Sequence, residues 1–84
     1  MDNLEQVKAF LRNEIIAAMY MAPDELDEDA LFSSYGLEST TLTKIVVNIN
    51  LRFSTRLSAQ DILPYQSVNR LTQVIYARLE GKTS

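Results

Sequence analysis

The 84-residue sequence contains no cysteine and no histidine. The missing cysteine excludes a disulfide framework and a thiolate nucleophile. Without histidine as well, a Cys/His zinc site and an imidazole base are excluded, and most triad chemistry with them. Only two glycines and two prolines are present. That leaves little material for hairpin turns and favours helices over a many-stranded β-fold. Long apolar runs are also lacking. The longest near-apolar stretch, "IIAAMYMA" at residues 15–22, is far short of the roughly 20 residues a membrane span needs. It follows Glu14, and the polar start "MDNLEQ" has no basic region. Neither a signal peptide nor a transmembrane helix is expected, and the cytoplasm is the default location.

What is present suits one globular domain. Apolar residues make up 46% of the chain and charged residues 23%, too apolar a balance for a disordered segment. The net charge of −3 hides an asymmetry. Residues 1–38 carry nine acids and two bases, or −7, whereas residues 39–84 carry two acids and six bases, or +4. An acidic total argues against non-specific nucleic-acid binding, which draws on many Lys/Arg–phosphate contacts. The asymmetry suggests that different faces meet different partners.

Leu4, Val7, Leu11, Ile15, Ala18 and Met19 recur at spacings of three and four and mark one apolar helix face. Asn3 is placed to cap this helix, with Gln6 completing a capping box. Pro23 should stop it by Tyr20 or Met21. A second helix is expected from Ser39, with Leu42, Ile45, Val46, Ile49 and Phe53 as its apolar stripe. "SAQDIL" reads as a short helical turn capped by Ser58, with Asp61 at the third position and Pro64 closing it. The last helix starts after Ser67, turns Val68, Leu71, Ile75 and Leu79 inward, and has Gly81 as a natural stop. The expected architecture is all-α: a four-helix bundle of three long helices and one short one, with a long loop after the first.

That loop is acidic. Glu25, Asp27 and Asp29 invite comparison with a calcium loop, but the pattern fails. Ala30 stands where the EF-hand glycine belongs, and Gly36 stands where the last glutamate belongs. A solvated loop pinned to the core by Leu26, Leu31 and Phe32 is the better reading. No metal site is expected.

Catalysis has few candidates. There are carboxylates in a mobile loop and scattered hydroxyls, and Ser39 has no evident base to activate it. No catalytic residue is assigned. Two readings of Ser39 remain. It is an ordinary helix cap, or it is a hydroxyl that another enzyme modifies, with the helix start favouring an attached anionic group. Gly36 would allow a tight turn just before it.

The stretch "DALFSSYGLESTTLTKIVVNINLRF" resembles the attachment-site region of acyl carrier proteins. Leu31 and Phe32 match a hydrophobic pair found there. Gly36, Leu37, Glu38 and Ser39 match the family's Gly-Leu-Asp-Ser motif, with Glu in place of Asp. The later "LPYQSVNRLTQVIYARL" is similar to the segment that joins the short helix to the last. The resemblance covers nearly the whole chain and implies a carrier, not a catalyst. It implies that Ser39 is esterified with 4'-phosphopantetheine from coenzyme A by a phosphopantetheinyl transferase. An acyl group would then travel as a thioester between an acyltransferase, a ketosynthase or other acyl-processing enzymes. A monomer is expected, with no nucleic-acid or membrane partner.

The departures from the family pattern carry information too. Thr40 follows the serine where carriers usually have Leu, Ile or Met. Residues 39–60 contain no acid but include Lys44, Arg52 and Arg56, and Lys44 falls where fatty-acid carriers tend to have Glu. Thr40, Lys44 and Arg52 are therefore the candidate partner-selecting residues. "F-x-x-Y-G-L" and "L-P-Y-Q-S-V" resemble carriers of polyketide or mixed polyketide–peptide pathways. The alternatives are a fatty-acid synthesis carrier and an unmodified helical interaction module of carrier ancestry.

Overall fold

In the computed structural model, which describes residues 3–82, the expected helices form in the expected order. Helix α1 spans Leu4–Met19, α2 Ser39–Phe53, α3 Ala59–Ile62 and α4 Val68–Lys82. Two 3₁₀ turns, Pro23–Glu25 and Phe32–Tyr35, lie in the long connection between α1 and α2. Among the described residues, no helix is long and apolar enough to cross a membrane.

The caps follow from local sequence. The Asn3 side chain accepts from the Gln6 amide at 2.9 Å, and Gln6 Oε1 accepts from the Asn3 amide at 2.8 Å. Ser58 and Asp61 form the same reciprocal pair at the start of α3. Ser67 Oγ accepts from the Arg70 amide at 3.3 Å as α4 begins. Helix α1 ends on Tyr20 in the left-handed conformation, ahead of Pro23.

The core is built from the stripes read in the sequence. Val7, Leu11 and Ile15 of α1 pack with Leu42, Ile45, Val46, Ile49 and Phe53 of α2 and with Val68, Leu71 and Ile75 of α4. Burying each such side chain fully contributes about 1.5–3 kcal/mol. Ala18, Met19 and Leu79 are partly buried against this cluster. Phe10 adds an edge-to-face contact with Phe53, ring centroids 5.3 Å apart. One side chain, Asn50, organises the connection from α2 to α3. Its amide donates to the Leu57 carbonyl, and its oxygen accepts from the Leu57 amide and the Thr55 hydroxyl.

Three expectations need correction. Leu31 does not pin the loop: it is 52% exposed, while Leu26 and Phe32 are buried. Leu31 precedes a tight 3₁₀ turn, which turns one member of the pair inward and leaves the other in solvent. The acidic loop is also not simply solvated: it is tied to the helices. Glu28 pairs with Lys8 and Arg12 of α1, its carbonyl accepts from the Asn69 amide, and Asp29 accepts from the Asn69 side chain. Finally, α4 does not stop at Gly81 but continues to Lys82. A glycine disfavours a helix interior by only about 1 kcal/mol relative to alanine, so it does not force an end.

Candidate functional site

The chain approaches α2 through a turn with fixed geometry. Phe32 is buried, and its amide donates to the Gln66 carbonyl at 2.7 Å. This ties the turn to the segment before α4. Tyr35 reaches back to the acidic loop, where its hydroxyl donates to the Asp27 carbonyl at 2.9 Å and accepts from the Asp27 amide. Gly36 then adopts φ +75°, and its amide closes the turn onto Phe32 and Ser33. A Cβ at Gly36 would meet nothing within 4 Å. Glycine is needed there for its backbone conformation, and space is not the reason.

Leu37 folds back against the core, and Glu38 takes the N-cap position in extended conformation without a side-chain cap bond. Ser39 is therefore the first helical residue of α2 and not its cap. The cap reading fails because helical backbone starts one residue earlier than a capping serine would require. The Ser39 hydroxyl is exposed and makes no hydrogen bond among the described residues. The first amide of α2 with a helical acceptor is that of Leu42, bonded to the Glu38 carbonyl at 2.9 Å. The amides of Ser39, Thr40 and Thr41 are thus left with no backbone acceptor in the helix, and the first turn contains no acid. An anionic group on the Ser39 oxygen would meet unpaired N–H donors and the positive end of the helix.

The other sequence candidates fall in different places. Gly36, Leu37, Glu38 and Ser39 are contiguous at this end of α2, and Thr40 is exposed beside them. Lys44 is exposed one turn further on. It lines a groove of about 260 Å³ between α1 and α2 with Glu14, Thr41 and Asn48. Arg52 lies in the last turn, roughly 20 Å along the helix from Ser39 at 1.5 Å per residue, with its guanidinium 4.9 Å from the centre of the Phe53 ring. The structure does not bring Arg52 to the serine.

The loop carboxylates do not converge. Glu25 accepts from the Ala22 amide, Asp27 from the Asp29 amide and Asp29 from Asn69. Each serves a local turn or tie, and no cluster of three or more metal-capable side chains occurs among the described residues.

The family model for the phosphopantetheine attachment site matches residues 9–75, well over half of the chain. The chain belongs to this family of carrier domains. It therefore takes 4'-phosphopantetheine as a covalent cofactor. The exposed hydroxyl and open first turn of α2 fit such a group. A solved structure, the NMR structure of the HMG-ACPI domain from the CurA module of Lyngbya majuscula, is similar over 98% of this chain and 83% of that chain. Its TM-score is 0.84 at 26% identity. This carrier has a helical bundle like that domain's.

Two features of the site lie outside the sequence motifs. The tie from Phe32 to Gln66 is between backbone groups and carries no side-chain signature. Val47 and Leu51, both apolar, are exposed on α2. These two do have a sequence signal, since both fall outside the stripe formed by Leu42, Ile45, Val46, Ile49 and Phe53.

Proposed function

We propose that Ser39 carries the phosphopantetheine arm and that the protein ferries acyl intermediates of a polyketide or mixed polyketide–peptide pathway. One observation supports this reading above the rest. Ser39 presents an exposed hydroxyl with no hydrogen bond among the described residues at the first residue of α2, shortly after the left-handed Gly36. When bound, the arm supplies a terminal thiol, which this cysteine-free chain lacks.

The chain's own residues do the positioning. Phe32 and Tyr35 fix the approach, Gly36 sets the turn, and Leu37 anchors its far side. The amides of the first turn of α2 stabilise a phosphodiester on the Ser39 oxygen. The Ser39 carbonyl accepts from the Thr43 hydroxyl at 2.8 Å, which steadies that turn. Acyl chemistry itself falls to the partners: a phosphopantetheinyl transferase first, then acyltransferases, ketosynthases or related enzymes. Thr40, Lys44 and Arg52 favour partners unlike those that read an acidic helix. The likeness to an ACP domain of a larger module supports an assembly-line pathway over fatty-acid synthesis.

The test is intact mass after incubation with coenzyme A and a broad-specificity phosphopantetheinyl transferase. A phosphopantetheine mass gain that disappears in Ser39→Ala is expected. No gain, or a gain that persists in Ser39→Ala, would sink the proposal and leave the interaction-module reading.

A further inference from the structure

At the end of α2 farthest from Ser39, the link to α3 and the side of α4 flank a cleft of about 600 Å³, lined by Ser54, Thr55, Arg56 and Arg78. It lies roughly 22 Å along the helix from Ser39 at 1.5 Å per residue. Its volume falls among those of small-molecule sites, about 300–1,000 Å³, but most such sites are apolar. The described lining here is hydroxyls and guanidiniums. Such walls suit a compact anion and not an acyl chain.

The link is held on both sides of Arg56. Asn50 accepts from the Thr55 hydroxyl at 2.7 Å and from the Leu57 amide at 3.0 Å, and donates to the Leu57 carbonyl at 2.9 Å. Thr55 and Leu57 are buried, whereas Arg56 between them is exposed. The Ser54 and Thr55 amides both donate back to the Asn50 carbonyl. The Arg56 amide, the Arg56 guanidinium and the Ser54 hydroxyl have no partner among the described residues. Ser54 also holds φ +56°, a conformation uncommon outside glycine. Arg78 faces Asp61 at 3.4 Å, longer than an ordinary charge-assisted hydrogen bond, and its side chain is 48% exposed. A guanidinium has five N–H donors, so Asp61 leaves most of them unused.

We propose that this cleft binds a compact phosphate dianion, as free phosphate or as the phosphate of a small monoester. Arg56 and Arg78 supply the charge and the planar forks that match phosphate oxygens. The Arg56 amide and the Ser54 hydroxyl supply further donors. Two guanidiniums outweigh Asp61 and the roughly half-unit negative end of α2. A carboxylate is a poorer match, because it brings a single charge and fewer acceptor oxygens than a phosphate. The site is independent of the carrier reading: it shares no residue with the Ser39 turn and lies at the other end of α2. A bound anion joins the α2–α3 link to α4 and therefore stabilises the fold.

The experiment uses the full ¹⁵N-labelled chain at about pH 8, where a phosphate is mostly dianionic. Sodium phosphate is titrated against sodium chloride at constant ionic strength, with glycerol 3-phosphate and acetate as parallel arms. Saturable shifts of the Ser54, Thr55 and Arg56 amides and of the Arg56 and Arg78 Nε–H groups are expected, with a rise in melting temperature. Binding should be about tenfold weaker for acetate, and about tenfold weaker for phosphate in Arg56→Gln or Arg78→Gln. Arg70 is exposed and has no ion-pair partner among the described residues, and it lies outside the cleft. Arg70→Gln should therefore change nothing. Asp61→Asn releases Arg78 and should tighten binding about threefold. All four positions are at the surface, and a native amide spectrum confirms each fold.

Absence of saturable shifts at the cleft, equal binding of acetate and phosphate, or unchanged binding in Arg56→Gln overturns the proposal. So do shifts centred instead on the amides of Ser39, Thr40 and Thr41, which assign phosphate to the start of α2. Shifts spread equally over Lys44 and Arg70 also overturn it, because they mark general charge attraction. Tighter binding of glycerol 3-phosphate than of inorganic phosphate supports the site and assigns it to a phosphorylated small molecule. Equal or weaker binding supports it and assigns it to free phosphate. Mass gain at Ser39 without phosphate binding removes the cleft site and leaves the carrier reading intact. Phosphate binding without mass gain removes the carrier reading and leaves the cleft site.

Discussion

The amide of Phe32 donates a 2.7 Å hydrogen bond to the carbonyl of Gln66, stitching the turn before α2 to the segment before α4. The Phe32 ring is 1% exposed and lies in the core beneath this stitch. The position of Ser39 therefore depends on α4 as well as on α2, although α4 supplies no residue to the motif. The orientation of this serine is a tertiary property.

Replacing Phe32 tests that dependence. Phe32→Ala should cost about 3–5 kcal/mol, much of the stability of so small a domain. Phe32→Leu keeps most of the apolar volume and should fold. In Phe32→Leu, modification of Ser39 should slow and the amides of residues 33–38 should lose hydrogen-exchange protection, while α1 keeps its own. Unchanged protection in that segment would separate the ring from the turn.

Gly36 gives a cleaner test, because backbone conformation and space are separable there. Its φ is +75°, and a side-chain carbon added at that position has nothing within 4 Å, so alanine meets no clash. Gly36→Ala should still cost about 1–2 kcal/mol, the ordinary penalty of a left-handed alanine. Gly36→Asn should cost less, since asparagine tolerates that region. Denaturant unfolding of the two variants checks the order. Equal costs would mean that the turn opens and does not strain.

Much of this is legible in the sequence, for physical reasons. Helical stripes repeat at 3.6 residues, so α1, α2 and α4 and their buried faces can be read directly. Caps are local, and Asn3–Gln6 and Ser58–Asp61 form as their spacing implies. The motif places Ser39 at a helix start, but whether it caps the helix or opens it turns on backbone angles, which residue types do not fix to one position. The order of the acidic loop is hidden for another reason. Its ties run over 16 and 20 residues to Arg12 and Lys8 and over 40 to Asn69, and composition carries no sign of such distant partners. Leu31 and Phe32 are a similar case: the pair is apolar in sequence, and the turn alone decides which member is buried.

The acid limb of stability should show Asp61. The Ser58 amide, then the Ser58 hydroxyl, hold its carboxyl below the ordinary value of 3.8; Arg78 adds a smaller push in the same direction, and desolvation opposes them. The folded state thus binds this proton less readily than the unfolded state. Its contribution is complete above the unfolded value and is lost as pH falls through the folded one. Melting temperature followed below about pH 4 should fall less steeply in Asp61→Asn than in the parent. Ser58→Ala removes the hydroxyl donor but keeps the amide, so it should lessen that slope less than Asp61→Asn does. Equal slopes in Ser58→Ala and Asp61→Asn would mean that the amide contributes nothing.

Glu28 separates structural charge from charge available to partners. Its carboxylate meets Lys8 at 3.3 Å and Arg12 at 2.9 Å, all three side chains partly buried, and Arg12 also donates to the Pro23 carbonyl. Glu28→Gln should cost about 1 kcal/mol or less, because the site is not fully dry. Glu28→Lys places three cations together and should cost more, with the difference shrinking as salt screens them. Hydrogen exchange in residues 26–31 should rise in both variants while the α4 interior stays protected. Lys44 provides the contrast. It has no ion-pair partner among the described residues, so Lys44→Glu should leave the unfolding midpoint nearly unchanged at any salt. Salt dependence of folding would then centre on Glu28. A midpoint shift in Lys44→Glu comparable to that of Glu28→Lys would show that Lys44 also holds the fold together, and would remove the division of labour between the acidic loop and the basic helix.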